Sequence, residues 1–268
     1  MAYERELEIA IEAVYAASEK ILTIYKKAFD VAYKDDDSPI TKADIEANAV
    51  IQKIIKEAFP RDGFISEEMA DDGSRMVKER FWVIDPLDGT KEFVKKNGEF
   101  TVNIALVHGD EVVLGVIFAP VLQMLYYGVK GAGAFCKSKE GIKPLHVSKR
   151  VNPIRMLVSR SHPANKTYDL IQQMKSKIEC VEKMGSSLKG CLIAAGEYDI
   201  YYNFGRSMKW DTCAMTCIVE EAGGMIRKLD GKPINYTEKN KVNHGFYIIN
   251  RAENAFDVSA SGDINNTL

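Results

Sequence analysis

The residue pattern predicts an α/β fold built from two sheets. Three observations carry that reading. The chain opens with two stretches whose apolar residues recur at helical intervals. A run of short apolar strands joined by turn residues follows, and beyond about Pro153 helical and strand-like segments alternate.

The first helix is read from Leu7, Ala10, Ile11, Val14, Ala17, Ile21, Ile24 and Ala28, spaced by three and four. Lys34-Asp35-Asp36-Asp37-Ser38-Pro39 breaks that period as a polar loop. A second helix starts near Thr41, buries Val50, Ile51, Ile54, Ile55 and Ala58, and ends before Pro60. From Gly63 the period shortens. Phe64-Ile65 and Phe81 to Ile84 read as buried strands. Phe100 to Val107 and Val112 to Phe118 form a hairpin across His108-Gly109-Asp110-Glu111. Gln123 to Val129 and Gly133 to Cys136 add two strands to an antiparallel meander.

In the second half, Arg155 to Ser159, Asp199 to Tyr202, Met225 to Leu229 and Phe246 to Asn250 are strands. Ala164 to Lys177, Ser186 to Ala195 and Trp210 to Ala222 are helices, the last ending at Gly223-Gly224. The expected division is 1–152, a helix pair with an antiparallel sheet; 153–251, an α/β half with a smaller mixed sheet; and 252–268, a polar tail.

With 268 residues, 46% of them hydrophobic, the chain can bury a sizeable core. A net charge of -2 argues against binding polymeric nucleic acid. Five cysteines, an odd count with no CxxC pair, argue against a disulfide framework and for a reducing cytoplasm. Cys213 and Cys217 read as buried small hydrophobes. No secretory signal and no membrane-spanning run is seen, so a cytoplasmic location without integral membrane contact is expected.

Chemistry concentrates at Asp85-Pro86-Leu87-Asp88-Gly89-Thr90, directly after the buried strand Trp82-Val83-Ile84. Pro86 is expected to end that strand. Gly89 permits a tight turn and close approach of a ligand, and Lys91 to Lys95 can start a helix whose N–H groups favour phosphate. Taken alone, the segment could be an ordinary turn. Further carboxylates stand in similar contexts: Glu67 and Glu68 after Phe64-Ile65, Asp211 at a helix start, and Asp44 in the first turn of the second helix. Each has an ordinary explanation, Asp211 as an N-cap worth about 1 kcal/mol and Asp44 as half of a capping box with Thr41. Gathered together, carboxylates about 4 Å apart repel by roughly 4 kcal/mol per pair at an effective dielectric near 20. Such a group needs cations, and oxygen-only donors suit magnesium or manganese. Two divalent ions would leave room for phosphate and water, the two-metal arrangement for in-line displacement at phosphorus.

Those residues, in that order, resemble the inositol monophosphatase superfamily. Within it, Thr90-Lys91-Glu92-Phe93, the run Asn97 to Leu106, Ser159-Arg160-Ser161-His162 and Gly185-Ser186-Ser187-Leu188-Lys189 look like the CysQ-type 3'(2'),5'-bisphosphate nucleotidases. The resemblance implies a layered α-β-α-β-α sugar-phosphatase fold and Mg2+-dependent hydrolysis of adenosine 3',5'-bisphosphate to AMP and phosphate. It implies two or three Mg2+ ions (Mn2+ as a substitute), lithium sensitivity, a place in sulfur metabolism and a possible homodimer. Glu67, Asp85 and the carbonyl of Leu87 would hold one metal, and Asp85, Asp88 and Asp211 the second. Thr90 would hold the attacking water with Asp44 behind it as proton acceptor, and Gly89 and Thr90 would cradle the cleaved phosphate. Gly185, Ser186, Ser187, Lys189 and His162 would face the nucleotide. One departure stands out: Tyr201-Tyr202-Asn203-Phe204-Gly205-Arg206-Ser207 lacks the arginine expected near Asn203, and Arg206 follows three residues later. Substrate preference is therefore the open point, the alternatives being an inositol or sugar monophosphatase and, in another class, a non-catalytic metal-dependent phospholigand sensor.

Overall fold

The computed structural model describes residues 2–27, 31–33, 39–161 and 164–256. The expected loop at 34–38 and His162 lie outside them. Helix α1 spans Glu4–Tyr25. A small hairpin, β1 (Val31–Tyr33) with β2 (Pro39–Thr41), leads to α2 (Lys42–Ala58). Then come β3 (Gly63–Ser66), a 3-10 turn at Ser74–Val77, β4 (Arg80–Asp88) and the short α3 (Thr90–Val94). Strands β5 (Thr101–His108), β6 (Glu111–Ala119), β7 (Met124–Val129), β8 (Gly133–Ser138) and β9 (Gly141–Pro144) complete the first sheet. The second half contains β10 (Ile154–Ser159), α4 (Asn165–Gln173), β11 (Ile178–Met184), α5 (Leu188–Ala194), β12 (Ile200–Met208), α6 (Lys209–Glu221), β13 (Met225–Lys228) and β14 (Val242–Ile249).

The seven-stranded sheet runs β3-β4-β5-β6-β7-β8-β9. It is an antiparallel meander except at β3, which pairs parallel to β4. The five-stranded sheet, ordered β11-β10-β12-β14-β13, is mixed as expected. Two of these strands were not foreseen, β9 and β11. Both are edge strands carrying exposed or charged residues, so neither shows the apolar run by which a buried strand is recognised.

Alternation along the strands assigns the layers. Trp82, Ile84, Ile104, Leu106 and Val116 face α1 and α2, against Ala10, Val14, Ala47 and Ile51. Val83, Ala105, Val107 and Ile117 face the other way, onto Cys213, Ala214 and Ile218 of α6. That middle layer also meets Leu157, Tyr201, Phe246 and Ile248 of the second sheet, whose far face packs on Leu170 and Met174 of α4 and its following turn. The result is the expected α-β-α-β-α sandwich, with one continuous core crossing from residues 1–152 into 153–251. Helix α6 lies almost on the sheet backbone: a Cβ on Gly115 would fall 2.3 Å from the carbonyl oxygen of Ala214. Cys213 and Cys217 are buried there as free thiols. The chain stays packed to Phe256, whose N–H donates to the Tyr202 hydroxyl at 2.8 Å; residues 257–268 lie outside the described residues.

Candidate active site

Asp85 and Asp88 are three apart, so a regular strand would send them to opposite faces of the sheet. The sequence-based expectation that β4 stops at Pro86 is overturned, and the correction explains their convergence. The strand continues to Asp88 through an irregularity: Asp85 pairs with Asn103 and Asp88 with Thr101, three steps on β4 against two on β5. The bulge absorbs Pro86, which cannot donate to the ladder, and restores Asp88 to the face of Asp85. Asp85 is fully buried, and its Oδ1 accepts from the Leu87 N–H at 3.1 Å.

Gly89 follows with φ +91°, a backbone that an L side chain adopts only under strain, and caps α3, so the N–H groups of that helix's first turn lack intrahelical acceptors. Thr90 Oγ1 lies 3.4 Å from Asp44 Oδ1 and 3.4 Å from the Leu87 carbonyl. Asp44 is the expected half of the capping box and also approaches Thr90. Its Oδ2 closes the capping box, accepting from the Thr41 N–H (2.8 Å) and hydroxyl (2.7 Å), while Oδ1 faces Thr90. One turn along α2, Asn48 holds the next segment: the Ser66 hydroxyl donates to its Oδ1 (2.8 Å) and its Nδ2 donates to the Glu68 carbonyl (3.4 Å). Glu67 is placed by its own N–H donating to the Ile84 carbonyl. Asp211 is the third residue of α6 rather than the N-cap, and its Oδ2 accepts from the Met208 N–H at 2.9 Å.

Glu67, Asp85, Leu87, Asp88, Gly89, Thr90 and Asp211 all line one cavity of about 550 Å³. Their charges act on one another. Burial first, then Glu67, Asp88, Asp211 and Asp44, push the Asp85 carboxyl well above the usual range. Burial and then Asp88 do the same to Asp211, against the lowering pull of the Met208 N–H and Lys189. Asp44 is raised by burial, and by Glu68 more weakly. Among the described residues no three His, Cys, Asp or Glu groups close into a ready chelating cluster; what the four carboxylates share is the lining of one cavity. Half-buried around a fully buried Asp85, mutually repelling and oxygen-only, this donor set fits a hard divalent cation better than zinc.

The adjoining wall carries the residues expected to face a nucleotide, its 185–187 loop abutting Gly89 and Asp88. Gly185, Ser186, Ser187, Lys189 and Arg206 all line the cavity. Gly185 admits no side chain, since a Cβ would fall 2.6 Å from Glu92 Cγ, and its N–H donates to Glu99 Oε2 at 2.8 Å. Glu99 is gripped by Arg160 through two bonds of 2.6 Å, tying β5's approach to this loop. Lys189 is buried, donates to the Ser186 carbonyl at 2.6 Å and lies 5.2 Å over the Tyr201 ring; burial lowers its pKa. Arg206 reaches the cavity by a second bulge, Asn203 pairing with Phe246 and Arg206 with His244, so both side chains serve one face. It is the exposed cation of that wall.

A model of the inositol monophosphatase family matches residues 2–257. The chain belongs to the inositol monophosphatase family. It is thus an enzyme of the phosphoric monoester hydrolase class. Relatives include the 3'(2'),5'-bisphosphate nucleotidase CysQ of Salmonella typhimurium, 38% identical over 90% of this chain and 98% of that one. The CysQ of Escherichia coli is 37% identical over 87% and 94%. Among solved structures, CysQ from Bacteroides thetaiotaomicron superposes with a TM-score of 0.82 at 34% identity, covering 93% of this chain and 99% of that one. An IMPase from Thermotoga maritima gives 0.80 at 27%, covering 92% of each. No helix among the described residues is long and apolar enough to cross a membrane.

In this family member the site contains groups that sequence reasoning did not single out: Asn48, Asn103, Glu92, Glu99 and Arg160. Asn103 had a readable signal. It is a polar residue on the inward face of an otherwise apolar strand, two before Ala105. Glu92 and Arg160 fall within the motifs Thr90 to Phe93 and Ser159 to His162, which marked the resemblance without giving either residue a role, because charged residues near a loop read as solvated surface.

Proposed function

We propose that the chain hydrolyses the 3'-phosphate of adenosine 3',5'-bisphosphate to AMP and phosphate, using Mg2+ held by Glu67, Asp85, Asp88, Asp211 and the Leu87 carbonyl. One observation carries this reading: the β4 bulge turns Asp85 and Asp88 to one face, where with Glu67 and Asp211 they surround a single cavity in which burial and the neighbouring carboxylates raise the pKa of Asp85 and Asp211. The names of the bacterial relatives support the choice of substrate.

When bound, the ions supply the positive charge that offsets the carboxylates and lowers the pKa of a coordinated water. The protein's own part follows from geometry. Thr90 orients the attacking water through its hydroxyl, and Asp44 Oδ1 behind it accepts the proton. The raised pKa of Asp44, caused by burial, matches it to that task. Water adds to phosphorus, the bond from phosphorus to the 3'-oxygen breaks, and that oxygen leaves as the 3'-hydroxyl of AMP, taking a proton from solvent in exchange for the one that Asp44 accepts and later returns to solvent. Gly89, with the first-turn N–H groups of α3, cradles the phosphate being released. Gly185 and Ser186 shape the nucleotide side, and Arg206 meets the remaining 5'-phosphate in place of the arginine absent near Asn203.

The test is a phosphate-release assay with Mg2+ on adenosine 3',5'-bisphosphate and inositol 1-phosphate, with and without lithium. The nucleotide is expected to give the higher kcat/KM, and Arg206→Ala to raise KM for it alone. Faster turnover of inositol 1-phosphate would make this a sugar phosphatase; Mg2+-dependent binding of the bisphosphate without phosphate release would make it a sensor.

A further inference from the structure

The hydroxyl of Ser187 is not free for a ligand. It donates to Asp88 Oδ2 at 2.5 Å and lies 3.1 Å from the Asp211 carbonyl oxygen. The Ser187 N–H donates to the same Asp88 Oδ2 at 2.6 Å. Asn103, across the ladder from Asp85 and 1% exposed, sends its Nδ2 to Ser187 Oγ at 2.9 Å and to Asp88 Oδ2 at 3.3 Å. Three donors therefore converge on one oxygen of Asp88.

We propose that Asn103 is a positioning residue for the metal site, acting with Ser187 to immobilise Asp88 by one oxygen and keep the other for the cation. The argument rests on the reading of Asp88 as a metal ligand made above. Three features support it. A carboxylate on a bulge has fewer ladder contacts to hold it than one in a regular strand. The donors come from both halves, β5 on one side and the 185–187 loop on the other, so Asp88 is fixed relative to Asp211 as well as to Asp85. The amide nitrogen of Asn103 serves both acceptors while its Oδ1 has no hydrogen-bond partner, an arrangement that only an amide donor fulfils and that an aspartate of the same shape would reverse. Ser187, expected to face the nucleotide, is thereby assigned to the metal side.

The experiment uses the full chain and two variants, Asn103→Asp and Ser187→Ala. Mg2+ binding is measured by calorimetry without substrate, and phosphate release at saturating Mg2+. For each variant the Mg2+ Kd is expected to rise about tenfold or more, and kcat to fall about tenfold or more with KM within about threefold of wild type. The double variant should lose little beyond the worse single one, because both act through Asp88. Mg2+ affinity within threefold of wild type in a folded variant, or a loss confined to KM, would overturn the proposal. Ser187→Ala carries the test should Asn103→Asp fail to fold. Wild-type preference for another phosphate ester would refute the proposed substrate and leave these ratios readable on that ester; wild-type protein that binds no Mg2+ would overturn both readings.

Discussion

Asp44 shows how little a single residue's local role says about its chemistry. As half of a capping box it is an ordinary helix start, and that ordinary reading is correct; the same carboxylate also presents its second oxygen to Thr90. Capping makes the group rigid, and rigidity is what the proposed role of proton acceptor behind Thr90 requires. Thr90→Ala is expected to lower kcat by about 10²–10⁴-fold with a small change in KM, and Asp44→Asn to do the same while keeping the helix cap. Steady-state kinetics checks both, and an effect confined to KM would remove the pair from water activation. At this scale the residues that line the candidate site were largely legible from residue type and order. Their geometry was not, because convergence of Glu67, Asp85, Asp88 and Asp211 depends on tertiary structure that sequence separation does not encode.

The elements carry the devices that make those residues converge. The helix pair, the meander and the alternating second half were legible because each buries an apolar face with a clear period. The bulges at Asp85–Asp88 and Asn203–Arg206 were not, since a bulge adds one residue without altering composition. Each changes the parity of its strand, so that residues an odd number apart share a face. The close seat of α6 was equally silent, since Gly115 reads from sequence as a weak point in a strand. Gly115→Ala places a Cβ 2.3 Å from the Ala214 carbonyl oxygen, which forces α6 outward. Destabilisation by about 1–3 kcal/mol is expected, together with weaker Mg2+ binding, because Asp211 rides on the same helix. Thermal unfolding and calorimetry on this variant separate the two effects; unchanged Mg2+ affinity would show that Asp211 is positioned independently of the α6 seat.

For the whole molecule, the site is a concentration of unfavourable charge in an otherwise conventional core. Asp85 and Asp211 titrate above the usual carboxylate range in the folded chain, chiefly through burial. Over the interval from that range up to the raised values the folded state holds more protons than the unfolded one, so their contribution to stability falls as pH rises. A bound divalent cation favours the ionised forms. The Mg2+-dependent gain in Tm over a chelated sample is therefore expected to grow between about pH 5 and pH 8; a gain that is flat with pH would show that these carboxylates do not hold the ion. The candidate donors also come from different elements, with Asp85 and Asp88 on β4, Glu67 directly after β3 and Asp211 on α6. That division has a consequence for biosynthesis. A ribosome delivers three of the four carboxylates more than a hundred residues before the fourth, so the emerging chain carries an incomplete acidic cluster throughout that interval. On the proposed reading the ion's site is complete only once α6 has docked, which makes Mg2+ binding a report on that docking rather than on folding of the first sheet.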